Sequence, residues 1–332
     1  MNTRQLSPYL LLFPLMSLGA ISGLISASSF NLQWHHLTEA LIYDAQSLQA
    51  QLITSLRLPR VILAALIGAS LAVAGALMQG ITRNPLASPS LLGINAGAAC
   101  TIMLATTGII APLNQLPLVI TAAIGATFAG ALVMLLGGGL RGQLHPMRTL
   151  LSGIAVSAAL MALTRAALIL DEQAQAIISW LSGSLADTGW QHVGQIWPWI
   201  LPALLLSLVT ANSFNLLALG DDVARGLGVN PSQVRLTASA LVIVLAASAA
   251  AVAGPVSFVG LMVPHLMRQL IGQDYRLLLP LCALGGATLM IWADALSRHL
   301  AFPAETPVGI LTALTGAPFF LWLACRSNRS HA

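Results

Sequence analysis

Arg57-Leu-Pro-Arg60, the apolar run Val61–Met78 and the stretch Thr82-Arg-Asn-Pro-Leu-Ala-Ser-Pro-Ser-Leu-Leu-Gly-Ile-Asn95 follow one another closely along the chain. The run between the two polar blocks is long enough to cross a bilayer, whose hydrocarbon core takes about 20 apolar residues as a helix. A double arginine therefore stands at one membrane face and an Asn-Pro turn at the other. That reading decides the fold class: helices crossing a membrane.

Composition extends it to the whole chain. Of 332 residues, 57% are hydrophobic and 7% charged, against about 25% charged in soluble domains. The apolar runs are continuous rather than alternating, which excludes a β-barrel. No polar linker divides the chain, so residues 1–332 read as a single transmembrane domain. Cys100, Cys282 and Cys325 show neither metal spacing nor even pairing and read as small apolar fillers. All 14 basic residues are arginine. A Walker A loop needs a lysine on the nucleotide phosphates, so ATP, if it drives this protein, is hydrolysed by another chain.

Ordered runs between Arg, Asp, Gly and Pro clusters give about ten spans: Tyr9–Ala27, Val61–Gly80, Leu91–Ile110, Leu118–Leu136, Leu150–Leu170, Ile196–Thr210, Leu236–Ala253, Val256–Leu270, Leu277–Ser297 and Val308–Leu323. Several fall short of a perpendicular crossing and imply broken or tilted helices. With both termini in the cytoplasm, Arg4, Arg83, Arg141, Arg148, Arg225, Arg235, Arg268, Arg276, Arg326 and Arg329 lie inside, as the positive-inside rule requires. Arg57, Arg60, Arg165 and Arg298 fall at or towards the outside, with the acids Glu39, Asp44, Asp171, Glu172, Asp187 and Glu305. Met1–Ser29 has features of a signal peptide, but its apolar stretch is long for one and its removal would leave an odd number of spans. It reads as the first span. Trp34 and Tyr43 then sit at an outer interface. Ala72-Val-Ala-Gly75 recurs as Ala251-Val-Ala-Gly254 in spans of opposite direction, a slight hint of an inverted repeat.

No catalytic residues, metal-ligand set or bound cofactor is expected: the seven histidines lack ligand spacing, and neither GxSxG nor a P-loop occurs. What remains is binding and gating. Within residues 213–233, Gly220-Asp221-Asp222 starts a short helix with acids on its positive end. Arg225 lies near its other end, and Gly226 and Gly228 can stop it. So short a helix needs a partner surface; the plain alternative is a capped loop. Arg57, Arg60 and Arg298 break the charge bias, and exposed rim guanidiniums suit bidentate pairing with carboxylates. Against this, Arg60 could anchor a helix end, and Arg298 stands i,i+4 from Asp294, the acid clearly inside a span, and could pair with it. Arg165 lies within the fifth span, where a charge must pair, face a cavity or snorkel; attracting an anionic substrate and snorkelling remain equal readings. Gly254-Pro255 and Pro264 are read as ending spans seven and eight. Gly68, Gly75 and Gly80 with Ala64, Ala72 and Ala76 give the second span small-residue faces for close packing.

The Arg57–Asn95 block, together with Ala251-Val-Ala-Gly-Pro-Val-Ser-Phe-Val-Gly-Leu-Met-Val-Pro-His-Leu-Met-Arg268, resembles the signature of FecCD-type permease subunits of bacterial ABC importers for iron-siderophores, haem and vitamin B12. The resemblance covers nearly the whole chain. It implies an all-α type II importer fold like that of the vitamin B12 permease, in the bacterial inner membrane. Implied partners are membrane lipid, a second permease (identical or paralogous), two cytoplasmic ATPase subunits that use the ATP, and a periplasmic binding protein; no nucleic acid is expected. By the same resemblance Leu219, Gly220, Asp221, Asp222, Ala224, Arg225, Gly226, Leu227 and Gly228 form the coupling segment that docks on the ATPase, and acids of the binding protein meet Arg57, Arg60 and Arg298. Leu92-Gly-Ile-Asn-Ala-Gly97 and Ala301-Phe-Pro-Ala304 look closest to ferric-citrate-type permeases, with cobalamin and haem as alternative cargo. A secondary transporter would need protonatable or sodium-binding groups at mid-membrane, and the spans offer almost none.

Overall fold

The computed structural model describes residues 3–25, 38–40, 47–138, 146–170, 180–301 and 304–327. Long helices dominate: α1 (Thr3–Ile25), α2 (Leu58–Thr82), α3 (Ile94–Thr106), α4 (Leu118–Leu136), α5 (Pro146–Leu170) and α6 (Trp190–Val209). Two short helices follow, α7 (Ala211–Ala218) and α8 (Asp221–Gly226), and then α9 (Pro231–Ala253), α10 (Val259–Ile271), α11 (Tyr275–Leu300) and α12 (Val308–Ser327). Apart from α7 and α8, each coincides with one of the apolar runs. Among the described residues seven helices are long and apolar enough to cross a membrane, while α3 and α12 are shorter apolar helices and α10 has 13 residues. Trp34, Tyr43, Asp44, Arg141, Asp171, Glu172 and the Phe302-Pro303 pair lie outside the described residues.

Helix α2 is the hub. Burial covers most of its length, and it packs on α11, α9 and α10. Its glycines explain how. A Cβ at Gly68 would strike the carbonyl of Gly286 on α11, and one at Gly75 the carbonyl of Gly260 on α10. Gly80 gives room to Tyr275. Small residues thus let backbones touch where lipid offers no hydrophobic drive for association. The α3–α4 pair repeats the device, Gly97 against Gly125. Gly254, by contrast, stands at φ +67 at the end of α9, under the carbonyl of Trp180. The two Ala-Val-Ala-Gly segments therefore serve different purposes.

Three boundaries differ from the sequence reading. Helical backbone leads into α2 through a turn at Leu48–Leu52 and a π-helical turn at Ile53–Arg57; Pro59 has no N–H to continue the α-helical bonding, and the π turn stands just ahead of that interruption. Arg57 and Arg60 both sit on this continuous helical backbone. Helix α6 starts at Trp190, six residues before Ile196, where the backbone N–H of Gly189 donates to His192 Nδ1 at 3.2 Å. Pro264 does not end its span: α10 continues past it to Ile271. A proline removes the bond to the carbonyl four residues earlier, here Gly260. That carbonyl receives Gln79 Nε2 at 3.4 Å, as does the carbonyl of Leu261. Gln79 is in turn held by Arg268.

Gly75→Val tests the hub. Its Cβ meets backbone that cannot swing aside, and overpacking of this kind costs roughly 1–3 kcal/mol. A clear fall in the unfolding temperature in detergent is expected, whereas Gly226→Ala, with open space around its Cβ position, should leave it unchanged. Equal midpoints for the two variants would refute the close approach.

Candidate functional site

Each end of α2 carries a charged cluster. At its C-terminus Arg83 adopts a left-handed conformation, φ 49, closing the helix. Its side chain donates to Asp221 Oδ1 at 2.7 Å. Arg235, in the second turn of α9, grips the same carboxylate with two bonds, 2.9 and 2.7 Å. One aspartate at the start of α8 thereby ties α2, α8 and α9 together. Hydrogen bonding from Arg235 is the main reason why the Asp221 carboxyl is held below its ordinary range, with the charges of Arg235, Arg83 and Arg225 adding to it.

Helix α8 closes as its glycines suggest. Gly228, at φ +81, donates to the carbonyl of Arg225 at 3.0 Å, and Val229 donates to that of Ala224 at 2.9 Å. This is a Schellman motif. Arg225 reaches Asp222 at 3.2 Å on the surface, and Gly220, at φ +115, opens the helix. Ala224 is fully buried, while Leu219, Val223 and Leu227 are all exposed by about half or more. Val223 on this six-residue helix, Leu219 just before it and Leu227 at its C-cap thus form an exposed apolar group, the kind of surface that marks a contact with a partner. Helix α7 is fixed alongside: Asn215 bonds Asp274 at 2.6 Å and the N–H of Tyr275 at 2.8 Å, and Arg276 bonds Asn212 at 2.7 Å.

At the other end of α2 the expectation of exposed arginines is corrected. Arg60 and Arg298 are buried, 6% and 2% exposed. Asp294, 1% exposed, receives Arg60 Nε at 2.8 Å on one oxygen and Arg298 Nη2 at 2.7 Å on the other. Arg60 Nη1 also holds Glu305 at 2.8 Å, and Arg298 Nη1 donates to the carbonyl of Gly23 at 2.8 Å. The cluster fastens α1, α2, α11 and the approach to α12. The i,i+4 pairing of Arg298 with Asp294 is as the sequence suggested; Arg60 and Glu305 were not foreseen in it. Neither buried guanidinium is presented for docking in this conformation. Arg57 is half-buried. Arg165 is exposed on α5, in a stripe with Leu151, Ile154 and Ile169. Among the described residues no group of three His, Cys, Asp or Glu side chains is placed to hold a metal ion.

The family model of the FecCD transport family matches residues 14–326. The chain belongs to the FecCD transport family. It is 45% identical to the Fe(3+)-citrate import system permease protein YfmD of Bacillus subtilis, over 82% of this chain and 81% of that one. It is 46% identical to the Fe(3+) dicitrate transport system permease protein FecC of Escherichia coli, over 84% and 85% respectively. The fold is that of a metal-chelate type ABC transporter solved in an inward-facing conformation, with a TM-score of 0.81 and 30% identity over 96% of this chain and 99% of that one. This FecCD protein is accordingly a membrane permease component, a transporter and not an enzyme.

Two tests follow from the clusters. Asp294→Asn leaves two buried guanidiniums short of their counter-charge; breaking a buried pair in this way costs about 3–5 kcal/mol, so a large loss of thermal stability is expected, and a near-neutral midpoint would show the cluster to be dispensable. For Asp221 the sign is that of a depressed carboxyl: its contribution is complete above the unfolded-state value of about 3.9 and is lost only as pH falls below it. Amide exchange in residues 221–229, corrected for intrinsic rate, should be flat from neutral pH down to about pH 5. An opening of α8 between pH 7 and 5 would contradict the clamp.

Proposed function

We propose that this FecCD protein is the permease subunit of an importer of iron(III)-citrate or a related hydroxycarboxylate chelate in the bacterial inner membrane. It works as half of a two-permease channel, with two cytoplasmic ATPase subunits that hydrolyse the ATP and a periplasmic binding protein that delivers the cargo. Both termini, Arg83 and α8 then lie in the cytoplasm, and Arg57, Asp187 and Glu305 outside.

The carrying observation is the surface around α8: exposed apolar Leu219, Val223 and Leu227 on and beside a helix anchored by Asp221. Motion of an ATPase groove that holds those side chains passes through Asp221 to the ends of α2 and α9. The stripe on α5 that bears Arg165 suits the second permease and the pathway between the two copies, where a charge would be hydrated and could attract an anionic chelate. The names of the two citrate permeases support the cargo. Arg57 remains the outer arginine proposed to meet an acid of the binding protein.

The test separates folding from partner contact. Gly226 has helical backbone and open space around it, so Gly226→Leu should fold as wild type. If α8 seats in an ATPase groove, the same change should abolish chelate-stimulated ATP hydrolysis and uptake in proteoliposomes. Full coupling in that variant would remove the proposed role of α8; chelate-stimulated ATPase activity with haem but not ferric citrate would overturn the cargo.

A further inference from the structure

Helix α10 is interrupted close to its own start. Pro264 has no N–H for the carbonyl of Gly260, so the first turn, residues 259–263, joins the rest of the helix with that bond missing. Gln79 on α2 fills the gap from outside. Its Nε2 reaches the carbonyls of Gly260 and Leu261 at 3.4 Å each, long for N–H···O bonds, which cluster near about 2.9–3.0 Å. Gln79 is 3% exposed, and its Oε1 is held by Arg268, one turn beyond the proline.

Three further observations mark that turn as able to shift. Phe258, its N-cap, stands at φ 66, a left-handed conformation in which a bulky residue is strained. Gly260 lies against Gly75 of α2, backbone on backbone, so no interlocking side chains oppose a slide there. Beside it is a void of about 20 Å³ bounded by Ser88, Pro89, Asn95, Ala246, Phe258 and Gly260, room for about one water molecule. The crossing just before the turn is fixed instead. Gly254 lies under the carbonyl of Trp180, and Gly309 donates to the carbonyl of Gly183 at 2.9 Å beside Pro255. A weakly bonded turn thus stands between an anchored crossing and the intact remainder of α10. We propose that residues 259–263 form a hinged turn that shifts about Pro264 during transport, with Gln79 as the latch that holds it in the conformation described here. The inference rests on the importer reading for its cycle, whereas the latch is a property of this chain alone. Gln79 is a positioning residue: a side-chain donor can let go of the Gly260 carbonyl without unwinding α10, which a main-chain N–H at position 264 could not.

Two variants act on the latch from opposite sides. Pro264→Ala restores a main-chain donor for Gly260; Gln79→Glu keeps an acceptor for Arg268 and deletes the donor to the carbonyls. In the permease in detergent, amide exchange of residues 259–263 should slow severalfold in Pro264→Ala and quicken severalfold in Gln79→Glu. In the complete importer in nanodiscs, Pro264→Ala should raise the unfolding temperature yet lower chelate-stimulated ATP hydrolysis severalfold, a combination that a purely structural proline would not give. Wild-type exchange in both variants overturns the latch, and a Pro264→Ala importer that turns over at the full rate overturns the hinge. Should Gln79→Glu fail to fold, the double variant with Pro264→Ala decides: recovered folding supports the exchange of donors, and continued failure overturns it. A wild-type complex with no chelate-stimulated hydrolysis removes the importer reading instead, and the exchange rates still judge the latch.

Discussion

Everything in this bundle depends on the backbone contacts of α2 with α10 and α11. Gly68 against Gly286 and Gly75 against Gly260 bring main chains so near that no side chain fits between them. In lipid this packing, with hydrogen bonding, supplies the association energy that water would otherwise drive. The same approach solves the problem of Pro264. Because α2 lies against the first turn of α10, Gln79 reaches the carbonyls of Gly260 and Leu261, and no backbone acceptor is stranded in a medium that cannot satisfy it. Close packing and polar satisfaction are here one arrangement. Without the glycines, Gln79 would stand too far away.

The sequence conveyed the crossings well, because a bilayer imposes length and apolarity on each helix separately. It conveyed the small-residue face of α2 and the Asp294–Arg298 pair for a related reason: both follow from helical periodicity alone. What it hid was long-range. Arg60 and Asp294 are 234 residues apart, and an arginine against the charge bias reads the same whether it stands on a rim or is neutralised inside. Asp221 looked like a helix-start acid acting on a dipole. It does occupy that place, but its stronger bonds go to Arg83 and Arg235, which only the bundle brings together. Pro264 misled because a proline reports the loss of a donor and says nothing of a side chain that replaces it.

The two ends of α2 are built to different standards. At one end the carboxylate of Asp294 is 1% exposed and is shared by two buried guanidiniums. Such a cluster is costly to open one partner at a time. At the other end Arg83 and Asp221 are 53% and 30% exposed. Solvated pairs of that kind are typically worth about 0–1 kcal/mol each, although the two-bond grip of Arg235 adds direction.

That asymmetry bears on how a transport cycle could run through this chain. A helix of 25 residues extends about 37 Å at 1.5 Å per residue, enough to link both membrane faces as one stiff element. If both ends were buried clusters, any rearrangement would have to open desolvated ion pairs, at about 3–5 kcal/mol for each partner lost. In this chain only the Arg60 end is a fully desolvated cluster; at the Asp221 end water reaches Arg83 and Asp221, so a rearrangement there strands no buried charge on α2. Exposed Leu219, Val223 and Leu227 lie at that solvated end, which is where the importer reading proposed above seats an ATPase subunit.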